Sequence, residues 1–404
     1  MLRQAGSKLC CHGLTNLQYT AHATTLFVRY LKIISHHGRN LFSNTTHLAV
    51  EISLRIHAMG LCASKPRTTS DYNTYASYNS GSSTPEPEET GSSRVTETHP
   101  EFRSIPDRAK DKAIALKEAL NRQSGYITPR LEYYARTALA QAAQIGSTPE
   151  ITELDIENIG DLTDTYNQRL SNINLKHHTS PQDFFQEFMT SQEPCWRSVV
   201  RLSPNSRHHV AIDVRNQDDV RTMLIIESAL AYGKSNNATG FLPGYLQMHN
   251  NVKNYAQDNG RMAVIQLGAQ KSKYDCIIFS LNNALAAYQK DTIFDSLHDS
   301  LRENGSCFQP REHKSETVSG IEVIDGTKIL PAVFFKHAHS RSTINDAIEE
   351  QPELADRNVS TNRESAHQTL SERVADFRVQ RSERSYSMSI ESSRLRKIRK
   401  AIES

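Results

Sequence analysis

The run MAVIQLGAQKSKYDCIIFSLNNALAAY, residues 262–288, joins a short strand to a buried helix in one continuous stretch. Its first part, Met262–Leu267, is apolar and partly β-branched, which is typical of a buried strand. The part from Cys276 to Tyr288 is apolar over too many residues for a strand and predicts a buried helix. Cys276 begins that helix, where the positive end of the helix dipole stabilises a thiolate. By itself the stretch leaves two interpretations open, an ordinary packed thiol, which is the more common, and a nucleophilic cysteine.

Other segments predict a mixed sheet flanked by helices. Further β-branched runs separated by turns predict strands, and these runs are Trp196–Leu202, His208–Val214, Thr222–Glu227 and Pro331–His337. Good helix formers with start or stop signals predict helices over residues 107–125, 130–146, 181–189 and 392–403. Helices, then a mixed sheet, then a further helix indicate an α+β fold. We expect one domain over residues 105–400.

The composition limits the classes of protein to consider. Of 404 residues only 37% are hydrophobic and the mean hydropathy is -0.58, so part of the chain is not expected to fold. A net charge of +2 and a single tryptophan argue against a nucleic-acid-binding surface. The six cysteines form no C-x-x-C pair and no zinc spacing, so we predict neither a metal site nor a disulfide framework. No apolar run approaches the ~20 residues needed to cross a bilayer.

The N-terminal region divides at Met59. Residues 1–58 show no periodicity and are predicted to be an upstream extension that is absent from the mature chain. From Met59 the sequence MGLCASK matches the N-myristoylation pattern, with Gly60 as the acceptor and Cys62 as a candidate for a second acyl chain. Residues 59–104, rich in Ser, Pro and Glu, are predicted to be a lipidated, disordered leader. A chance match to this short motif is the alternative.

Three chemically competent residues are predicted to meet at one edge of the sheet. His208 begins one strand and Glu227 ends the next, and a short turn between antiparallel strands brings these positions together. A carboxylate bound to one imidazole nitrogen leaves the other nitrogen to take a proton from the thiol of Cys276. Gln270, in the loop before the cysteine, offers a side-chain amide to a developing oxyanion. Taken singly, each also fits a structural role, as a core histidine, a strand-end charge or a packed thiol.

At these residues the chain resembles the YopJ family of type III secreted bacterial effectors. The resemblance rests on NINLKHHTSP, HHVAIDV, TMLIIE, IQLGAQKSKYDCIIFSL and PAVFFKH, between about Ser171 and His337. It implies a core like that of the ubiquitin-like-protein-specific cysteine proteases at about 171–340. It also implies helical regulatory flanks at about 105–170 and 341–400.

The activity implied by this resemblance is acetyl transfer. Acetyl-CoA would acylate Cys276, and the acetyl group would pass to Ser, Thr or Lys of host proteins. His208 would be the general base, Glu227 the orienting acid and Gln270 an oxyanion donor. Lys271 and Ser272, beside the nucleophile, are candidates for contacts with CoA, and an ordinary solvated loop is the alternative.

The resemblance also implies activation by inositol hexakisphosphate, and Lys336 resembles a lysine that is autoacetylated in relatives. A polyphosphate requires several converging cations. Candidates from both flanks of the core are Arg197, Arg201, Lys336, Arg394, Arg396, Lys397, Arg399 and Lys400. A solvated charged helix is the alternative for the C-terminal cations.

Two other functions are compatible with the same residues. A cysteine protease or deubiquitinase would use the same triad, although the basic cluster favours acetylation because a protease has no evident need of a phosphate site. A catalytically dead, lipid-anchored decoy is less favoured because all three active-site positions hold competent residues. We expect a virulence effector that is exported by the type III secretion machinery and suppresses host defence signalling. It would reside at the host plasma membrane if Gly60 is myristoylated, and otherwise in the host cytoplasm.

Overall fold

The strands of the central sheet send alternate side chains into two apolar layers. In the computed structural model of the protein, Val210 and Ile212 pack in one layer, whereas Ala211 between them packs in the other. Because successive side chains of a strand point to opposite faces, such a sheet needs a cover on both sides. The structure describes residues 99–144, 146–235, 238–241, 244–256, 259–360, 367–381 and 383–404.

Within these residues, one large mixed sheet is accompanied by two small hairpins. The strands are β1 (Leu175–His178), β2 (Cys195–Arg201), β3 (His209–Gln217), β4 (Val220–Glu227), β5 (Tyr232–Ser235), β6 (Ala238–Phe241), β7 (Gly260–Gln266), β8 (Ser315–Val318), β9 (Ile321–Asp325), β10 (Arg378–Arg381) and β11 (Arg384–Ser387). The large sheet has the order β1-β2-β3-β4-β7-β9-β8. Its pairs β1/β2, β4/β7 and β7/β9 are parallel and the others are antiparallel. The hairpins are β5/β6 and β10/β11.

Helices cover both faces of the sheet. The α-helices are α1 (Asp107–Arg122), α2 (Pro129–Gln144), α3 (Pro149–Arg169), α4 (Pro181–Thr190), α5 (Tyr245–Asn251), α6 (Cys276–Gln289), α7 (Asp291–Asn304), α8 (Arg341–Glu350), α9 (Leu370–Asp376) and α10 (Ser389–Ile402). One π-helical segment, Val252–Ala256, continues α5. Short 3-10 helices occur at Pro100–Phe102, Pro310–Glu312, Gly326–Lys328, Ala332–Phe334 and Pro352–Leu354. In the described part of the chain no helix is long and apolar enough to cross a membrane.

Local sequence signals account for the elements that build the site. The side chain of Ser180 caps α4 by accepting from the backbone N–H of Asp183, which satisfies a donor that the helix leaves unpaired. The turn between β3 and β4 places Asp218 and Asp219 at positive φ, 52° and 63°, as two-residue hairpin turns require. Along α6, every residue from Cys276 to Tyr288 is buried, so its continuous apolar sequence is explained by cover on all sides.

The prediction of a strand at Pro331–His337 is wrong. The segment forms a 3-10 helix at Ala332–Phe334, in which the N–H of Phe335 donates to the carbonyl of Ala332. Ala332, Phe334 and Phe335 are all buried. A short apolar run that does not alternate with polar residues indicates only that the segment is buried. It does not distinguish a strand from a buried turn.

The predicted helical flanks pack on the same side of the sheet as α6. Leu116 of α1, Leu139 of α2, Ile159 of α3 and Leu395 of α10 belong to one apolar cluster together with Ile278 of α6. The opposite face is covered by α4 and α5. The nucleophile candidate therefore sits on a helix between the sheet and the flanks.

Candidate active site

His208 and Glu227 lie side by side at one edge of the sheet. In the antiparallel β3/β4 pair, Ala211 is opposite Ile226, so the residue before β3 lies next to the end of β4. The Nε2 atom of His208 is 2.5 Å from Oε2 of Glu227. This contact leaves Nδ1 as the ring nitrogen that can exchange a proton with another group.

Glu227 is fully buried and is held by two further donors. The hydroxyl of Tyr245, at the start of α5, donates to Oε2 at 2.5 Å, and the backbone N–H of Ala229 donates to Oε1 at 2.7 Å. Burial raises the pKa of Glu227, but the charge of His208 and these hydrogen bonds outweigh it and lower the pKa. The carboxylate therefore stays ionised and fixed in orientation.

Cys276 begins α6 and faces the loop that carries His208. Its thiol is buried, with 2% of the residue exposed, and donates to the carbonyl of Arg207 at 3.3 Å. Burial lowers the pKa of His208, but the Glu227 carboxylate and the hydrogen-bonding contact with Cys276 raise it to about 10. His208 is therefore an imidazolium at neutral pH, placed between a carboxylate and a thiol.

Gln270 lies in the loop between β7 and α6, and its side chain fixes that loop. Its Oε1 accepts from the hydroxyl of Ser228 at 2.7 Å, and its Nε2 donates to the carbonyl of Ser272 at 2.7 Å. A primary amide has two N–H groups, so one donor of Nε2 is not accounted for by this bond. Gln270 thus lies on the cysteine loop as predicted, with one amide donor already used within it.

Lys271 and Ser272 are in the same loop, with different surroundings. The backbone N–H of Lys271 donates to Nδ1 of His339 at 2.9 Å, and the residue is exposed. The hydroxyl of Ser272 donates to the carboxylate of Asp275. Ser272 therefore supports the loop, whereas the side chain of Lys271 is available to a ligand.

A large basic cavity lies beside α6. It has a volume of about 1110 Å³ and is lined on one side by Asn282 and Leu285. Its cationic lining residues are Arg169, Lys290, Lys336, Arg357, Arg396 and Lys400, against the single carboxylate of Glu353. Asn282 is six residues beyond Cys276, which is roughly 9 Å along the helix axis. The cavity therefore reaches the same helix that presents the nucleophile.

A second basic cavity, of about 320 Å³, is lined by Arg396 as well. Its other cations are Arg108, Lys112 and Arg373, and its carboxylate is Asp111. Burial lowers the pKa of Arg373 to about 9, and the charges of Arg396 and Arg108 act in the same direction. Several cations that converge on one cavity could bind an anion there.

Lys336 lies in the larger cavity and is 9% exposed. Burial is the main cause that lowers its pKa well below the usual range, and the charges of Arg396, Arg373 and Lys400 add to it. A lowered pKa increases the fraction of the amine that is neutral, and the neutral form is the nucleophilic one.

Other predicted polyphosphate ligands lie elsewhere, which corrects the sequence analysis. Arg197 is fully buried in the sheet, where Nε donates to Asp213 at 2.8 Å and the guanidinium covers the ring of Tyr288. Arg201 bonds the carbonyls of the turn before β3. Arg197 lies among β-branched core residues. Its position near other cations in the sequence was therefore a misleading indication that it binds a phosphate.

The C-terminal cations divide between the faces of α10. Arg396 and Lys400 line the larger cavity. Lys397 is buried and donates to Oδ1 of Asn282 at 2.8 Å. Arg399 pairs with Glu403 on the helix surface, and Arg394 pairs with buried carboxylates. Residues 396 and 400 are one helical turn apart, which explains why they share a face.

Among the described residues, no group of three His, Cys, Asp or Glu side chains could hold a metal ion. The predicted acyl sites Gly60 and Cys62, with the segments 1–58 and 59–98, lie outside the described residues.

A family model for the YopJ serine/threonine acetyltransferases matches residues 131–400, which is most of the described chain and includes the whole triad. The chain belongs to this family. The resemblance stated from the sequence is therefore confirmed, and the protein is an acetyltransferase of the YopJ family.

Relatives and solved structures agree with this assignment. A serine/threonine-protein acetyltransferase of Sinorhizobium fredii is 32% identical over 54% of this chain and 83% of the relative. The acetyltransferase HopZ1a of Pseudomonas syringae pv. syringae is 24% identical over 74% and 89%. The structure of HopZ1a with IP6 and CoA has a TM-score of 0.64 at 23% identity, covering 74% of this chain and 98% of that one. AvrA with IP6 and CoA has a TM-score of 0.56 at 18% identity, covering 68% and 99%. The predicted α+β fold is confirmed.

Sequence reasoning missed Tyr245 in this YopJ-family site. It stands 18 residues beyond Glu227, and the intervening chain forms the β5/β6 hairpin. The segment PGYLQM, residues 243–248, carries a glycine before an apolar pair, which is a usable signal for a helix start. The contact between its tyrosine and Glu227 depends on tertiary packing.

Proposed function

We propose that this enzyme transfers the acetyl group of acetyl-CoA to Ser, Thr or Lys side chains of host proteins through an acetyl-cysteine at Cys276. The proposal rests on one observation, namely that an imidazolium held by a buried carboxylate faces a thiol at a helix N-terminus. This arrangement supplies a nucleophile, a proton donor and a proton acceptor in one place. A cysteine protease would use the same arrangement, and membership of an acetyltransferase family favours acetyl transfer.

In the first step the Cys276 thiolate attacks the thioester carbonyl carbon of acetyl-CoA. The bond from that carbon to the CoA sulfur breaks, and the leaving sulfur takes the proton of the His208 imidazolium. Backbone N–H groups at the start of α6 and the second amide N–H of Gln270 would stabilise the oxyanion. The products are acetyl-cysteine, CoA thiol and neutral His208.

In the second step neutral His208 takes the proton of the acceptor hydroxyl or amine as that group attacks the acetyl-cysteine carbonyl. Acylation removes the negative charge of Cys276, which is one of the causes that raise the pKa of His208. The pKa of His208 is therefore lower in the acetyl-enzyme than in the free enzyme, which favours the neutral ring that accepts the proton of the acceptor group. The second step regenerates the Cys276 thiolate and the imidazolium.

The two basic cavities support a role for polyanions in this activity. HopZ1a and AvrA have been solved with IP6 and CoA. We therefore assign the donor's phosphates and inositol hexakisphosphate to the two cavities that share Arg396, with Lys336 and Lys400 in the larger and Arg373 in the smaller. Bound phosphates would neutralise these cations and would tie α1, α9 and α10 to the core. Lys271, exposed beside the nucleophile, is a further contact for CoA.

Lys336 is assigned as the autoacetylated lysine. Its amine is depressed in pKa and lies in the cavity assigned to the phosphates. Acetylation would remove a cation from that cavity and so weaken the hold on a polyanion. Lys336→Arg should therefore keep polyanion binding and lose the lysine acetyl label in peptide mass spectrometry.

The cellular part of the proposal is a virulence effector. It would be delivered by a type III secretion machinery into the host cell, where it suppresses defence signalling. Myristoylation of Gly60, with an acyl chain on Cys62, would place it at the host plasma membrane. Gly60→Ala in a chain that starts at Met59 should move the protein from membrane to soluble fractions without changing acetyl transfer by the purified enzyme.

The deciding experiment incubates the purified protein with acetyl-CoA labelled in the acetyl group, with and without inositol hexakisphosphate. The wild-type protein should acquire label that hydroxylamine at neutral pH removes from the cysteine. Cys276→Ala should acquire none, and Cys307→Ala, another buried thiol outside the site, should match the wild type. Label that persists in Cys276→Ala would overturn the two-step mechanism.

A further inference from the structure

The residue that precedes the nucleophile is held by groups from three separate parts of the fold. Asp275 is 1% exposed and adjoins the first residue of α6. Its carboxylate accepts from the hydroxyl of Ser147 at 2.5 Å and from Nη2 of Arg394 at 2.8 Å. It also accepts from the hydroxyl of Ser272 in its own loop, and Nε2 of His339 lies 3.7 Å away. The side chain of Asp275 makes no capping bond to α6, although its carbonyl accepts from the N–H of Phe279 at 3.0 Å, so the carboxylate contacts do not serve to cap the helix.

Arg394 carries this contact into the flanking helices. It lies on α10, is 3% exposed, and binds Asp155 of α3 through Nε and Nη2, both at 2.9 Å. The hydroxyl of Tyr134, on α2, donates to the same carboxylate at 2.5 Å. One guanidinium therefore joins the helical flanks to the residue beside Cys276.

The charges make this link selective for arginine. Burial raises the pKa of Asp275, and the charges of Arg394 and His339 outweigh it and lower the pKa. Asp155 and Asp275 are both buried, and one fork-shaped guanidinium serves both carboxylates. Without Arg394, two buried carboxylates would lose the guanidinium that pairs with both, and the loop would have to move to hydrate them.

We infer that Asp275 and Arg394 are positioning residues, which fix the first turn of α6 so that the Cys276 thiol meets His208. The inference rests on the proposed function, since it names what aligns the nucleophile of that reaction. It also assigns α3 and α10 a direct part in building the active site. A change that loosens the packing of these helices would therefore misalign Cys276 without altering the triad residues themselves.

A second contact from α3 supports this view. Thr152 donates to the carbonyl of Tyr274 at 3.1 Å, one residue before Asp275. The neighbouring Glu153 pairs with Arg207, whose carbonyl accepts from the Cys276 thiol. The start of α3 thus contacts both the cysteine loop and the histidine loop.

The test uses full-length Arg394→Gln, Arg394→Lys and Asp275→Asn, with Arg136→Gln as the matched control. Arg136 is also a flank arginine, but its pair with Glu132 is on the surface and its side chain is 62% exposed. Three quantities are measured at one pH: the thermal unfolding midpoint, kcat and KM for acetyl-CoA with saturating inositol hexakisphosphate, and the rate of Cys276 alkylation by iodoacetamide.

Arg394→Gln should lower kcat by roughly a hundredfold, as expected for a displaced nucleophile, with KM within about twofold of the wild type. Its alkylation should be slower, because the thiol no longer meets the imidazolium. Arg394→Lys should recover part of kcat, and Arg136→Gln should match the wild type. A merely loosened fold would instead expose the buried thiol and speed alkylation.

Wild-type kcat and alkylation in a folded Arg394→Gln would overturn the inference, as would a loss confined to KM. If Arg394→Gln does not fold, Asp275→Asn decides, because it keeps a polar group for Ser147 and loses only the charge. Full kcat in Asp275→Asn would then overturn it. The alkylation rate can be measured without an acetyl donor. If the wild-type enzyme transfers no acetyl group, the proposed function is contradicted, and the alkylation rates of the variants still test the positioning role of Asp275 and Arg394.

Discussion

Glu227 accepts three hydrogen bonds at a fully buried position, from His208, Tyr245 and the backbone of Ala229. A buried carboxylate needs such donors, because burial alone would favour its protonated form. A protonated carboxyl would neither orient the imidazole nor hold its positive charge. The tyrosine is therefore a supporting part of the triad.

Tyr245→Phe should weaken that support while keeping the packing of the ring. Removing one hydrogen bond to a charged buried group costs about 1.5–3 kcal/mol. We expect lower kcat and a lower unfolding midpoint, measured by acetyl transfer and calorimetry. Tyr255→Phe, at an exposed tyrosine on the adjoining π-helical segment, is the control and should change neither. Unchanged kcat in Tyr245→Phe would show that two donors suffice.

The pair of charges on His208 and Glu227 predicts a pH dependence of stability. The pKa of His208 is raised from 6.5 to about 10, so its contribution is full below pH 6.5 and is lost as the pH rises toward 10. The lowered pKa of Glu227 adds stability that is lost only in acid. The free energy of unfolding, measured by urea titration, should be higher for the wild type than for the double variant His208→Gln/Glu227→Gln. This difference should decrease as the pH rises from 6.5 to 10. A difference that grows over this range would contradict the assignment.

At the scale of elements, α5 is placed by a close backbone approach. Gly244 precedes the helix with φ of 106°, and a Cβ atom there would lie 2.2 Å from the carbonyl oxygen of Leu202. Leu202 follows β2, so this contact packs the start of α5 against the sheet. Only glycine fits both the backbone conformation and the space.

Gly244→Ala should therefore displace α5 and draw Tyr245 away from Glu227. The strained backbone and the steric clash are together expected to cost about 2–4 kcal/mol, with loss of most activity. Gly233→Ala is the control, because a Cβ atom at Gly233 would meet no heavy atom within 4 Å. Calorimetry and acetyl transfer measure the two effects, and a stable, active Gly244→Ala would rule out the close approach.

Elements with a strong pattern of hydrophobic or β-branched residues could be predicted from the sequence. The strands β2, β3, β4 and β7 and the helix α6 follow from β-branched runs and from a long apolar run. Helix α3 lies in the helical flank implied at about 105–170 but was not located as an individual helix, although Thr148 caps it and Pro149 follows, which is a usual start signal. Its buried face mixes threonine and aspartate with leucine, since Thr152 bonds the cysteine loop and Asp155 binds Arg394, and this weakened the apolar pattern.

At the scale of the whole molecule, the two basic cavities join the flanks to the core. Arg396 of α10 lines both. The other cations lie on α1, α3, α9 and α10 and in the connecting segments at Lys290, Lys336 and Arg357. Burial and neighbouring cations lower the pKa of Lys400 to about 8. A polyanion in these cavities would restore the protonated state of such groups.

Binding of inositol hexakisphosphate at pH 8 should therefore take up protons. Titration calorimetry in two buffers of different ionisation enthalpy measures this uptake, which should shrink at pH 6.5, where Lys400 is already protonated. Lys400→Gln should reduce the proton uptake at pH 8. The control is Lys253→Gln, which changes an exposed lysine on the opposite side of the sheet and should leave the proton uptake unchanged. Proton release, or equal enthalpies in both buffers, would contradict the assignment of these cavities.

The amino-acid sequence determined the strands β2, β3, β4 and β7, the helix α6 and the residue types of the triad. It also determined the edge of the sheet at which His208 and Glu227 meet, because strand period and turn length fix these features locally. Tertiary structure decided which cations face a cavity, since Arg197 and Arg396 look alike in sequence and differ only in what packs around them. It also decided that Arg394 of the last helix reaches Asp275, a contact across 119 residues. Such contacts depend on how helices dock on the sheet, and no local pattern of residues encodes that docking.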